Sequence, residues 1–448
     1  MNDTELTNFG GDRPLVRWVA VERNFQRSLR LDRDVASAED MLAGYVAQGT
    51  SRQALEAMAL GITGSKQRSY TWTGPYGCGK SSLALLLCAL TGTPEKQSEA
   101  KRILKLFPDE PLAVAFAAKE GWNQLILVGR QGSLTSDLAE SLGVPADGRA
   151  VVKALEARAA KQHAPDAFLL VIDELGQYLE SAQASENAYL LQEIAEAANR
   201  SEAKFVLLGI LHQAVDVYAS RLPRSVRDEW AKVQGRFTDI PLVSSSEETV
   251  ELLGHALARP MGEPPEDKKF ERAVKQTAQS ITERRPEVGD RIEEMLRRCW
   301  PLNPVTTILL GPISRRKFAQ NERSIYSFLS ASEPLGFRNF VEHHVVGETF
   351  SPADYWDYLK ENFETSILTT GEGHRWLTAI DAIHRAELVG DELLVRLAKS
   401  VALIDLFRTG SGVEATLPVL SASVGVSEDR VRTALKVLAA KTSTSRAE

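Results

Sequence analysis

A chain of 448 residues has room for about three domains of ordinary size. Apolar residues make up 43% of it and charged residues 25%, so it can bury hydrophobic cores, which excludes a chain disordered throughout. The 53 Lys and Arg residues are outnumbered by 60 Asp and Glu, a net charge of −7, which excludes a uniformly basic nucleic-acid coat but allows a local basic face.

The sequence favours a protein of the reducing cytoplasm. No apolar run reaches the roughly 18 residues that a membrane span needs, and the polar start Met1–Gly11 lacks the apolar core of a signal peptide. The three cysteines, Cys78, Cys88 and Cys299, are too few for a disulfide framework and form no zinc-binding pattern. We therefore expect no membrane partner.

Residues 1–35 form an N-terminal basic segment. It holds six arginines between Arg13 and Arg33, interleaved with apolar residues. This pattern favours a strand-rich segment with a solvated basic edge, and a contact with a partner or DNA is the alternative. A helical stretch is predicted next, from Ala38 to about Leu60.

Residues 69–243 alternate between strand and helix patterns, which predicts a parallel sheet with helical crossovers. Most of the strands are unbroken apolar runs, as in strands buried on both faces. The predicted strands are Tyr70–Thr73, Gln124–Val128, Phe168–Asp173, Phe205–Leu211 and Phe237–Val243. The predicted helices between them include Ser82–Leu90, Gly148–Lys161 and Glu186–Ala198.

The chain beyond the break at Pro260–Asp267 is predicted to be mostly helical. Its last two helical stretches are joined by a turn at Gly425, with Ser427 as the helix cap, and have the spacing of a helix-turn-helix. The predicted helices are Phe270–Ile281, Val288–Cys299, Val305–Leu310, Asn321–Leu329, Pro352–Asn362, Leu393–Phe407, Leu417–Val424 and Ser427–Ala440.

A phosphate-binding loop follows the first predicted strand of the sheet. Residues 74–81 fit G-x-x-x-x-G-K-[ST] and lie between a strand and a helix, the context this motif requires. Its backbone N–H groups and the helix N-terminus would cradle phosphates, Lys80 would reach the β and γ phosphates, and Ser81 would ligate Mg²⁺. The predicted nucleotide-binding residues are Gly74, Pro75, Tyr76, Gly77, Cys78, Gly79, Lys80, Ser81 and Ser82.

Two carboxylates end the apolar strand Phe168–Asp173. Asp173 is predicted to hold Mg²⁺ together with Ser81, and Glu174 to activate the attacking water. Cys78 lies beside Lys80 at a helix N-terminus, so we expect a lowered pKa for its thiol. His212 and Gln213 follow the next strand and either contact the γ-phosphate or simply cap the strand end.

Several arginines are candidates for stabilising transition-state charge. Arg236 is the first choice for an arginine finger that acts between subunits, and Arg227 is the second. A structural ion pair is the alternative role for Arg236. Among Arg315, Arg316 and Arg323, we prefer Arg323 as the residue that reaches the phosphates from a helical lid, and a solvated helix face is the alternative.

This order of motifs resembles the AAA+ superfamily of P-loop ATPases over residues 35–330, and Gly235-Arg236-Phe237 resembles its arginine-finger region. The chain is also similar to large bacterial ATPases of phage-defence islands, of the bacteriophage-exclusion type. The segments that carry this second resemblance are Ile172–Glu180, Trp300–Pro304 and Gln320–Leu329. Those relatives are usually much longer, and the segment Thr91–Asp166 is long for the superfamily and is a candidate insertion.

The resemblance implies a fold and a division into domains. It implies an α/β fold, a P-loop αβα sandwich with a parallel five-stranded sheet, followed by a helical lid and a mostly helical C-terminal domain with a candidate winged helix. It also implies Arg323 as the sensor 2 arginine. The predicted parts are the N-terminal segment 1–35, the ATPase core 36–245, the lid 246–331 and the C-terminal domain 332–448.

The predicted activity is Mg²⁺-dependent ATP hydrolysis by a homo-oligomer, with ATP preferred over GTP because of the resemblance. The first hypothesis is a motor that remodels DNA or a protein partner in anti-phage defence, together with other defence proteins. The second is a nucleotide-dependent switch that recruits an effector and turns over slowly. A small-molecule kinase is a weaker third reading. DNA is a candidate partner of Ser427–Ala440, which carries Arg430, Arg432 and Lys436.

Overall fold

The structure, a computed structural model, describes residues 13–22, 25, 29–34, 42, 44–75, 77–160, 167–213, 233–316 and 325–444. The chain folds into two compact units. One is Ser28–Val243, and the other combines Met1–Arg27 with Ser244–Glu448. Among the described residues, no helix has both the length and the apolar character needed to cross a bilayer.

Five of the strands form a parallel sheet in the unit Ser28–Val243. Its order is β3-β4-β5-β2-β6, so one strand separates the strand before the phosphate loop from the strand that ends in Asp173. All five strands predicted from the sequence are confirmed within about two residues at each end. The strands are β1 Ala20–Val21, β2 Ser69–Thr73, β3 Asn123–Val128, β4 Ala167–Asp173, β5 Lys204–Leu211, β6 Thr238–Pro241 and β7 Leu257–Ala258.

The sheet is covered on both faces, which makes this unit an αβα sandwich. Alternate side chains of β4 enter two separate cores, with Leu169 and Val171 in one and Phe168, Leu170 and Ile172 in the other. Successive side chains of a strand point to opposite faces, so a strand between two helical layers must be apolar at every position. The predicted α/β P-loop fold with a parallel five-stranded sheet is confirmed.

The helices of this unit lie before, between and after the strands. The first long helix begins at Gly49, not at Ala38, because residues 45–48 are not helical and Gln48 has an extended backbone; residues 35–41 lie outside the described residues. The helices are α1 Leu31–Asp34, α2 Gly49–Leu60, α3 Lys80–Leu90, α4 Pro94–Leu104, α5 Pro111–Phe116, α6 Leu134–Leu142, α7 Gly148–Ala159, α8 Gly176–Leu179 and α9 Ala184–Arg200.

A buried asparagine holds together the segments that leave β3 and β4. The Asn187 side chain accepts a hydrogen bond from the Leu134 N–H at 2.9 Å and donates to the Gly132 and Tyr178 carbonyls at 3.0 Å. It also donates to Ser181 Oγ at 3.0 Å. Asn187 is fully buried, so these bonds satisfy groups that water does not reach.

The second unit is mostly helical in its described residues, as predicted. Apolar side chains from its helices share one core, which includes the stacked rings of Trp356 and Trp376 at 4.1 Å. Strands β1 and β7 pair antiparallel. Its helices are α10 Ser246–Ala256, α11 Lys268–Arg284, α12 Arg291–Arg298, α13 Pro304–Ser314, α14 Ile325–Ser330, α15 Phe337–His343, α16 Pro352–Leu368, α17 Gly373–Glu387, α18 Glu392–Phe407, α19 Leu417–Val424 and α20 Glu428–Thr444.

The N-terminal segment is not rich in strands where it is described. It contains a 3₁₀ turn at Leu15–Arg17, the two-residue β1 and the short α1. Leu15 and Val19 are buried in the core of the second unit, which explains the apolar residues between the arginines.

The last two helices form the predicted helix–turn–helix. Gly425 ends α19 with φ of 70°, a left-handed conformation that glycine adopts without steric cost. The described residues from Phe407 to Thr444 contain no strand, so no β-hairpin wing is found in that part of the chain. The winged helix and the four-part division of the chain therefore stay predictions.

We predict that Asn187→Ala lowers the free energy of unfolding of the αβα unit by about 3 kcal/mol, because the buried Leu134 N–H and Tyr178 carbonyl lose their partner. Denaturant unfolding followed by circular dichroism measures this loss. Ser98→Ala is the matched control, since the exposed Ser98 hydroxyl makes one local bond to the Pro94 carbonyl. A loss below about 1 kcal/mol for Asn187→Ala would contradict the assigned role.

Candidate functional site

The phosphate loop runs from the end of β2 to the first residue of α3. A Cβ atom on Gly74 would lie 2.4 Å from the Leu242 carbonyl oxygen, so only glycine fits where the loop passes the end of β6. Gly77 and Gly79 have φ of 74° and 83°, which favours glycine at both positions. The backbone therefore has the curled course that a phosphate cradle requires.

Lys80 is buried at the start of α3 and points back into the loop. Its Nζ donates to the Gly74 and Pro75 carbonyls at 2.6 and 2.7 Å and lies 3.6 Å from Cys78 Sγ. Burial lowers the pKa of Lys80, although the nearby Cys78, Asp173 and Glu174 act in the opposite direction. The ammonium group therefore sits at the centre of the predicted phosphate site.

The expected lowering of the Cys78 pKa is wrong. Burial of the thiol raises its pKa and outweighs the opposing effect of Lys80. The sequence places a cation beside Cys78 but does not show how far the fold desolvates its thiol. A raised pKa disfavours the thiolate form of Cys78 that the sequence suggests.

Ser81 and Asp173, the two predicted magnesium ligands, are in direct contact. Ser81 Oγ donates to Asp173 Oδ2 at 3.1 Å, and the Glu174 N–H donates to Asp173 Oδ1 at 2.9 Å. Burial and the neighbouring Glu174 charge raise the pKa of Asp173. A divalent cation would stabilise the ionised form of this carboxyl, and a hydroxyl with a carboxylate is a donor set that suits Mg²⁺.

The Glu174 side chain is held by His212, which directly follows the neighbouring strand β5. His212 Nε2 donates to Glu174 Oε2 at 2.7 Å. The His212 side chain is only 12% exposed. Burial raises the pKa of Glu174, but the hydrogen bond from His212 and the charges of His212 and Lys80 outweigh it, so its pKa is lowered. The lowered pKa keeps Glu174 in the ionised form that a general base must have.

The backbone at Glu174 turns sharply and is backed by a glycine. Glu174 has φ of 53°, a left-handed conformation that costs a residue with a side chain on the order of 1 kcal/mol. The Gly129 N–H donates to the Asp173 carbonyl at 2.7 Å, and a Cβ on Gly129 would lie 2.3 Å from the Glu174 carbonyl oxygen. Gly129 was not among the predicted site residues. Its position directly after the adjacent strand β3 is the sequence signal that could have placed it near the site.

Arg236 lies at the opposite edge of the sheet from the phosphate loop. It precedes β6, whose Thr238 pairs with Tyr70, whereas the loop follows Thr73 at the other end of β2. The intervening strand is roughly 15 Å long at about 3.3 Å per residue, so Arg236 does not reach the phosphate loop of its own chain. Its Nε donates to Glu196 Oε1 at 2.6 Å.

The other predicted residues are placed as follows. Tyr76, Arg227 and Arg323 lie outside the described residues. Arg315 donates to the Ser244 carbonyl at 2.9 Å, and burial lowers its pKa. Arg316 forms an ion pair with Glu372 at 2.9 Å. The structure thus brings Lys80, Ser81, Asp173, Glu174 and His212 to one edge of the sheet.

The chain is similar to a number of solved structures. No family model matches the chain, and no curated protein does. Among solved structures, it is similar to the ORC2 protein of Aeropyrum pernix in its ADPNP–ADP complexes, at 15% identity over 96% of this chain and 100% of that one, with a TM-score of 0.32. The ADP form of that protein matches at 14% identity over 95% and 99%, also at 0.32. The fold assignment rests on the sheet order and the two helical layers.

We predict that Gly129→Ala lowers ATP turnover by about a hundredfold while ATP affinity changes little. The added methyl group meets main-chain atoms of Glu174, which must move, whereas the phosphate loop is untouched. Turnover and nucleotide titration of the same preparation separate the two effects. Gly148→Ala is the control, because its Cβ would lie 3.7 Å from the nearest atom. Unchanged turnover in Gly129→Ala would contradict the placement of Glu174.

Proposed function

We propose that this protein is a Mg²⁺-dependent ATPase of the AAA+ type. The observation that carries the proposal is the convergence of Lys80, the Ser81–Asp173 pair and Glu174 at the carboxyl edge of one parallel sheet. In open α/β sheets, ligands bind at this edge. A phosphate cradle, a magnesium donor set and a candidate base are the three parts that hydrolysis of a nucleoside triphosphate requires.

Each part has a defined task in the proposed reaction. The loop N–H groups and the N-terminus of α3 bind the phosphates. Lys80 exchanges its two carbonyl acceptors, Gly74 and Pro75, for phosphate oxygens. Glu174 accepts a proton from the water that attacks the γ-phosphate, and His212 holds the Glu174 carboxylate.

The Ser81 hydroxyl and the Asp173 carboxylate are the residues that would hold Mg²⁺, directly or through water. When bound, this ion neutralises charge on the β and γ phosphates. Asp173 is buried, so ionising its carboxyl costs free energy unless a cation lies in the same site.

We also propose that catalysis is completed between two copies of the chain. Arg236 lies at the edge of the sheet remote from its own phosphate loop, so an arginine finger at this position serves a neighbouring subunit. A homo-oligomer follows from this role. Arg227 stays the second candidate for the finger and Arg323 the candidate lid arginine.

One observation favours the second hypothesis, a nucleotide-dependent switch with slow turnover. In this structure the candidate finger Arg236 is paired with Glu196. Arg236 must change partners before it can serve a neighbouring site, which favours low activity in the isolated protein. The remodelling of DNA or protein, and a role in anti-phage defence with other defence proteins, rest on the sequence resemblance alone.

We predict that Glu174→Gln binds ATP with near-normal affinity and hydrolyses it about a hundredfold more slowly or worse, because an amide does not accept the proton from water. Single-turnover hydrolysis of radiolabelled ATP measures the rate, and equilibrium titration measures the affinity. Retention of normal turnover would exclude Glu174 as the base.

We predict that Arg236→Ala also lowers turnover strongly and that mixing it with Lys80→Ala protein restores part of the activity. In the mixture, an intact site on the first variant meets an intact arginine on the second. Turnover is measured against the mixing ratio at constant total protein. If no ratio exceeds the sum of the two separate activities, the finger does not act between subunits.

A further inference from the structure

The side chain and the main chain of Arg236 are held by different groups. The guanidinium donates to Glu196 on α9, and the two side chains are about one third exposed, at 34% and 33%. The Arg236 carbonyl accepts from Gln67 Nε2 at 3.1 Å and from Asn199 Nδ2 at 3.2 Å. The backbone at Arg236 therefore stays anchored when the guanidinium leaves its carboxylate.

Glu196 keeps other partners when Arg236 leaves. Gln192 Nε2 donates to Glu196 Oε1 at 3.1 Å, and Arg200 NH2 lies 3.8 Å from Glu196 Oε2. Neither carboxylate oxygen is left without a donor or a nearby cation. Exchange of Arg236 between two anions therefore costs little free energy, since partly exposed ion pairs contribute little to stability.

Exposed side chains lie along α9 on both sides of Glu196. Along α9, the phenol of Tyr189 is paired with Glu193, and Tyr189 is 59% exposed. Arg200 at the end of the helix is 75% exposed. A polar rim with an exposed aromatic side chain suits an interface that forms and separates, rather than a permanently buried one.

We infer that Glu196 is the resting partner of Arg236 and competes for its guanidinium with the nucleotide phosphates held by a second copy of this chain. This regulation rests on the proposed role of Arg236 in the neighbouring site. Bound ATP carries several negative charges that a planar guanidinium can bind with two hydrogen bonds, and it displaces the Glu196 carboxylate. The ion pair thus restrains hydrolysis until subunits assemble around ATP.

The test compares Glu196→Gln with the unmodified protein in ATP turnover per protomer over a range of protein concentrations. The variant keeps the size of the side chain and removes its charge. Its turnover should rise about two- to fivefold at low concentration, the range expected for a half-exposed ion pair, and converge with that of the unmodified protein at high concentration. Glu110→Gln is the matched control, because Glu110 forms a similar half-exposed pair with Arg52 in the same unit; its turnover should not change.

The double variant Glu196→Gln with Arg236→Ala separates the inference from the proposed function. It should have the same low activity as Arg236→Ala alone, because Glu196 acts only through Arg236. A rise caused by Glu196→Gln in the Arg236→Ala background, or no rise in the unmodified background, would overturn the inference and leave the ATPase proposal intact. Normal turnover by Arg236→Ala itself would contradict the assignment of Arg236 as an arginine finger. It would then overturn the inference about Glu196 as well.

Discussion

The parallel pairing of β2, β5 and β4 is the constraint on which the whole candidate site depends. The three strands end at the same edge, so the phosphate loop, His212 and the Asp173–Glu174 pair emerge side by side. Parallel pairing also requires helical crossovers, and the crossover after β2 is α3, whose N-terminus completes the phosphate cradle. One topological choice therefore supplies both the charges and the backbone donors of the site.

The same topology places the candidate phosphate site and the candidate arginine finger at opposite edges of the sheet. In the proposed mechanism the carboxyl edge binds the phosphates, whereas the amino edge carries Arg236 and its partner Glu196. A residue at the amino edge serves catalysis only when a second molecule presents its own carboxyl edge. In the proposed mechanism, the geometry of a single sheet therefore couples assembly to hydrolysis.

Local sequence patterns predicted the elements of this unit well because buried parallel strands are unbroken apolar runs and the loop motif has fixed spacing. The segment Thr91–Asp166 was interpreted as a candidate insertion. In its described residues it supplies the edge strand β3 together with α4, α5, α6 and α7, so it builds the sheet. Its helices were missed in part because α4 is mostly polar and α5 has only six residues, which gives weak periodicity.

The pairings of the site could not be predicted, since they join residues that lie far apart in the sequence. Glu174 and His212 are 38 positions apart, and Glu196 and Arg236 are 40. The sequence shows that each is polar and near a strand end, but only the sheet order decides which side chains meet. The prediction of a lowered pKa for Cys78 was wrong for a related reason. The pKa depends on how deeply the thiol is buried, which a sequence motif does not show.

The central claim is that the loop around Lys80 binds a nucleoside triphosphate, and the ATP dissociation constant of Lys80→Ala tests it most directly. Titration with a fluorescent ATP analogue, with Glu110→Gln as a folded control, should show saturable binding by the unmodified protein and by the control. It should show no measurable binding by Lys80→Ala, because the buried ammonium at the centre of the loop is lost. An unchanged dissociation constant in Lys80→Ala would contradict the account.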